Sequence, residues 1–228
     1  PRGGTGQRGA GAGSMVQNLS TGQGLVMNSW LIAVSVAVAL TSGAVQAAGD
    51  AAAGKARGAT CVACHGADGN SVNPIWPKLA GQHPEYLQKQ LREFKSGDRQ
   101  NDLMSPQAAT LTEEDMANLA AYFASEQQSP GGAQESAVDK GGQLYRGGNP
   151  DTGVPACTGC HGPTGSGMGP AKFPRIAGQH APYMEQTLKD FRAGNRANDP
   201  NGMMRGVVAR MTDQEIAMVA QYVQGLTE

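Results

Sequence analysis

The chain has 228 residues, 39% of them hydrophobic and 5% aromatic, with a formal net charge of −1. That length allows one large or two small domains, and a balance so near neutral excludes the strongly basic surface that binds nucleic acid.

The first 47 residues stand apart. Trp30 to Leu40 (WLIAVSVAVAL) is a run of 11 residues, apolar but for Ser35, short of the ~20 residues that a membrane span needs. The segment after it closes on small residues, with Val45 and Ala47 at the positions that precede cleavage. This reads as a secretory signal peptide with the mature chain starting near Ala48, the rival reading being a retained membrane anchor. No Lys or Arg lies between Met15 and the apolar run, and PRGGTGQRGAGAGS before Met15 reads as upstream or fused sequence. Without Arg2 and Arg8, 16 basic and 19 acidic residues remain, a mature net charge of −3.

A first helix, Asp50 to Cys61, leads into CVACH at Cys61 to His65. Next, Leu87, Leu91 and Phe94 form an i, i+4, i+7 stripe that Gly97 ends. Thr112-Glu-Glu-Asp115 resembles a capping box ahead of a last amphipathic helix carrying Met116, Leu119 and Phe123. Gln127 to Ala137 (QQSPGGAQESA) is polar, rich in Gly and Pro, and reads as a linker. Then the pattern repeats. PRIAGQHAPYMEQTLKDFRAGNRAND from Pro174 matches PKLAGQHPEYLQKQLREFKSGDRQND from Pro77 at an offset of 97, and the cysteine motifs match at 96. Met184, Leu188 and Phe191 repeat the stripe, Gly194 the stop, and Thr212 to Glu215 the box ahead of Ile216, Val219 and Val223. No run alternates with β period. The expected fold is all-α, a tandem duplication with small helical domains at 48–126 and 138–228.

CVACH and CTGCH (Cys157 to His161) contain every cysteine of the chain. At this spacing two thiols, Cys61 with Cys64 and Cys157 with Cys160, can form thioethers to the two vinyls of one haem, while the adjacent His65 or His161 reaches the iron. A zinc ribbon would bring its pairs within about 20 residues of each other, which these are not, and a redox dithiol would not require the histidine. Two covalent haems are therefore expected, each filling the thin core of a small domain, so that folding without haem is poor.

A methionine on the opposite side of the iron raises its potential and closes the site, whereas a second histidine lowers the potential. Met104 and Met204 each lie seven residues before the residue that precedes the last helix, Leu111 or Met211, and are the expected axial partners. Met203 is the runner-up, one residue out of register. Met168 lies too close to His161 to cross the haem, and Met116 reads as core. His83 and His180, after Ala-Gly-Gln, read as capping or surface residues. Pro74 and Pro170, at offset 96, offer carbonyls for the proximal imidazoles' other N–H.

The two CxxCH motifs, the PKLAGQ and PRIAGQ segments and the NDLM and NDPNGMM segments together resemble the dihaem cytochrome c4 family, over essentially all of residues 48–228. The resemblance implies two class I cytochrome c domains packed together, with covalent haem at Cys61, Cys64, Cys157 and Cys160. It implies axial pairs His65 with Met104 and His161 with Met204. It implies a periplasmic electron carrier, without a small-molecule substrate, between the cytochrome bc complex and a terminal oxidase, and leaves room for peripheral membrane association. The competing functions are a subunit of a periplasmic dehydrogenase and a dihaem peroxidase, the latter needing a displaceable distal ligand that two symmetric methionines do not provide.

Overall fold

A computed structural model describes residues 49–227; the expected signal peptide lies outside them. Ten α-helices make up two copies of one five-helix unit among the described residues. In the first copy these are α1 (Ala51–Arg57), α2 (Val62–His65), α3 (Pro84–Ser96), α4 (Met104–Ala109) and α5 (Glu113–Ser125). In the second they are α6 (Glu135–Gly147), α7 (Thr158–His161), α8 (Ala181–Ala193), α9 (Met203–Val208) and α10 (Asp213–Gly225). No strand forms among the described residues, only the isolated bridges Asn149↔Val154 and Met168↔Phe173.

The helix ends follow from sequence chemistry. Asp50 caps α1 by accepting from the amides of Ala52 and Ala53, and Thr112 and Thr212 close full capping boxes with Asp115 and Glu215. Gly97 and Gly194 end α3 and α8 in the left-handed conformation that a Cβ disfavours. α1 stops at Arg57, and a 3-10 turn, Gly58–Thr60, carries the chain to Cys61. α6 begins at Glu135, inside the polar segment that reads as a linker, and Ala137 is buried.

In each copy the first helix packs on the last, α1 on α5 and α6 on α10, and the third also rests on the last. Leu87, Leu111, Met116, Leu119 and Phe123 form the core of the first copy. Met184, Met211, Ile216, Val219 and Val223 hold the equivalent places in the second, joined by Leu188. At about 25 cal/mol per Å² of apolar surface removed from water, such clusters supply the main favourable term for units this small.

Candidate haem sites

α2 and α7 are single turns that put each CxxCH segment at the wall of one continuous cavity, lined from both copies. None of the four cysteines is paired in a disulfide. Burial pushes the Cys157 thiol up to about 11 and the Cys61 thiol in the same direction. Among the described residues no three His, Cys, Asp or Glu side chains converge as a metal site. That arrangement disfavours zinc.

His65 and His161 are buried, at 6% and 8% exposure, and burial holds both imidazoles below their ordinary pKa against the opposing effect of a backbone hydrogen bond. Each Nδ1–H donates to a proline carbonyl, His65 to Pro77 at 2.9 Å and His161 to Pro174 at 3.0 Å. Since a carbonyl only accepts, the tautomer is fixed and Nε2 is left with a lone pair. This corrects the expectation for Pro74 and Pro170, which are exposed and take no part. The register changes from 96 to 97 between Pro74/Pro170 and Pro77/Pro174, where the second copy makes the Met168↔Phe173 bridge with Lys172 at φ 59. The prolines that head PKLAGQ and PRIAGQ were the available signal.

Met104 starts α4 and Met204 lies in the first turn of α9, and both line the cavity. Met203 also lines it but is 40% exposed, whereas Met204 packs against the core of its domain. The second copy is three residues longer here, where Asn201 and Gly202 take left-handed φ of 55 and 68 and Asp199 holds Arg205 through Nε at 2.8 Å.

A reciprocal polar cluster lines the cavity between the copies. Arg99 donates to Tyr183 at 3.3 Å and Arg196 to Tyr86 at 3.0 Å, and both guanidiniums donate to Gln90 Oε1. Burial opposes ionisation of Tyr183, but Arg99 and Arg196 together bring its phenol down to about 8. Neither cation meets a carboxylate among the described residues, a surplus of positive charge that suits the propionates of haem. The two cysteine pairs, imidazoles with a free Nε2, thioethers and these cations all fit haem c.

His83 and His180 stand at the N-caps of α3 and α8 without side-chain capping bonds. Their Nε2–H groups cross instead to the other copy, His83 to the Ser166 carbonyl at 2.7 Å and His180 to that of Ser71 at 2.8 Å. Sequence alone gave no sign of this bridging role.

The Cytochrome c family model matches residues 51–127 and again 138–227. Cytochrome c4 of Thiocapsa roseopersicina is 58% identical over 182 residues, 79% of this chain and 94% of that protein. The crystal structure of reduced recombinant cytochrome c4 from Pseudomonas stutzeri superposes with a TM-score of 0.77 at 45% identity, over 79% of this chain and 100% of that one. A thiosulfate dehydrogenase electron acceptor of Stutzerimonas stutzeri is 40% identical over 167 residues, 71% of this chain and 76% of that protein. With two matching domains and relatives this similar, the chain belongs to the cytochrome c4 family, as a dihaem electron carrier that binds two haem c groups.

Proposed function

We propose that this protein is exported to the periplasm and carries electrons from the cytochrome bc complex, or another donor, to a terminal oxidase. Cys61, Cys64, Cys157 and Cys160 would hold the haems covalently, and His65 with Met104 and His161 with Met204 would be the side chains that hold the irons. The observation that carries this reading is the repeated set of buried histidine, fixed tautomer and cavity-lining methionine, on one cavity that crosses the domain boundary. When bound, haem c supplies a one-electron couple. The chain's part is to present a neutral imidazole, fill the opposite side with a thioether, and keep the core dry so that little reorganises on transfer. A methionine holding each iron would leave no position for a peroxide, which disfavours a peroxidase. No helix among the described residues is long and apolar enough to cross a membrane.

A redox titration of the purified holoprotein with visible and near-infrared spectra tests the proposal. Two one-electron steps, both with the thioether-to-iron band, are expected; a high-spin haem or a single step would overturn it. The second reading, a partner of a periplasmic dehydrogenase, is favoured by the likeness to the thiosulfate dehydrogenase electron acceptor. Copurification from a native source separates the two.

A further inference from the structure

Gln82 and Gln179 precede His83 and His180, are buried at 7% and 5% exposure, and reach across to the opposite domain. The Lys78 amide donates to Gln179 Oε1 at 2.9 Å, and Gln179 Nε2 donates back to the Lys78 carbonyl at 2.9 Å. The Arg175 amide donates to Gln82 Oε1 at 2.9 Å, and Gln82 Nε2 returns to the Arg175 carbonyl at 2.7 Å. Lys78 follows Pro77 and Arg175 follows Pro174, so the N–H that each glutamine accepts belongs to the same peptide group as the carbonyl that anchors a histidine. Each chain of bonds therefore runs from the glutamine oxygen, through one peptide of the opposite domain, to the Nδ1–H of that domain's proximal imidazole.

We propose that Gln82 and Gln179 are cross-domain positioning residues, each setting the electron richness of the proximal histidine, and so the potential of the haem, in the domain to which it does not belong. The inference rests on His65 and His161 being the axial ligands. A peptide whose N–H is donated becomes a better acceptor at its C=O, because hydrogen bonds in a chain polarise one another. A better acceptor at Pro77 draws on the His65 Nδ1–H, makes the ring more basic at Nε2, and stabilises the oxidised iron. Losing Gln179 then raises the potential of the N-terminal haem, and losing Gln82 raises that of the C-terminal haem. Each clamp also couples haem tuning to domain packing, so a partner that strains the interface would move both potentials.

The test uses the full-length holoprotein carrying Gln179→Met or Gln82→Met, which keep side-chain volume, with His83→Ala as a control that breaks a cross-domain bond not joined to these peptides. Proton NMR of the reduced wild type comes first: upfield ring-current shifts of the His65 and His161 ring protons establish axial ligation, and their absence sinks that reading rather than this one. With ligation established, Gln179→Met is expected to speed exchange of the His65 Nδ1 proton and leave that of His161 unchanged. It should shift the N-terminal haem's redox equilibrium by about two- to threefold, ~20–30 mV upward at 59 mV per tenfold. Gln82→Met should give the mirror result, and His83→Ala neither. A shift confined to the mutated domain's own haem, equal shifts of both haems in all three variants, or no shift with ligation intact would overturn the proposal.

Discussion

Gly54 of α1 lies against Asn118 of α5 so closely that a Cβ on it would sit 2.0 Å from the Asn118 carbonyl oxygen. Gly141 of α6 makes the same approach to Met218 of α10, where the distance would be 2.4 Å. Backbone meets backbone at both crossings, and neither side can yield without separating the helices. Gly54→Ala and Gly141→Ala should each destabilise by about 3 kcal/mol, at the upper end of overpacking. Gly97→Ala enters open space but at φ 89, and should cost only about 1 kcal/mol. Urea unfolding of the holoprotein ranks the three; a Gly97 variant worse than the other two would contradict the close crossing.

The last helices depend on their capping boxes. Thr112→Ala and Thr212→Ala should each cost about 1 kcal/mol. The Thr112 amide holds Asp115 below the ordinary carboxylate range, and the Thr212 amide, with Asn149, does the same for Glu215. A carboxyl whose folded pKa is depressed stabilises above its unfolded pKa, and that contribution is lost as pH falls through the folded value. Stability should thus decline below about pH 4, and Asp115→Asn or Glu215→Gln should flatten the decline. An unchanged acid limb in both variants would remove these carboxylates from the account.

Much of this was legible in the sequence because the signals were local. The two capping boxes, the glycine stops at Gly97 and Gly194, the Leu87 and Met184 stripes and the duplication all report on bonds within a few residues. The proline assignment missed by three residues in the first copy and four in the second, because the path of the loop, and not the prolines themselves, decides that Pro77 and Pro174 face the imidazoles. The roles of Gln82, His83, Gln179 and His180 were hidden for a different reason. They act across the domain interface, at sequence separations of 83 to 109 residues, and an amide or imidazole carries no mark of so distant a partner.

Met104→His and Met204→His should each lower the potential of one haem and remove about half of the near-infrared thioether band, because imidazole is the stronger donor to oxidised iron. Met203→His should leave the band whole, since Met203 is the more exposed of the adjacent pair. Loss of the band in the Met203 variant and its survival in the Met204 variant would move the ligand by one residue.

Charge divides unequally between the domains. Residues 48–129 hold seven basic and ten acidic side chains, and residues 138–228 nine and eight, a balance of −3 against +1. A dipole of this kind steers encounter and orients the carrier, an effect on association rate that salt screens. The structure selects the probes. Arg205 is paired with Asp199 at 2.8 Å, so reversing it would disturb the loop that carries Met204 as well as the charge. Arg210 is exposed and makes only a 3.3 Å bond to the Thr152 carbonyl, and Lys55 on α1 is exposed in the other domain. With an oxidase whose docking face is acidic, Arg210→Glu should slow electron transfer several-fold at low ionic strength, and Lys55→Glu clearly less. The difference should shrink as the Debye length falls from about 10 Å at 0.1 M salt to about 3 Å at 1 M. Stopped-flow rates across that range decide it: equal slowing by both variants, or none at low salt, would show that the charge difference does not select the docking end.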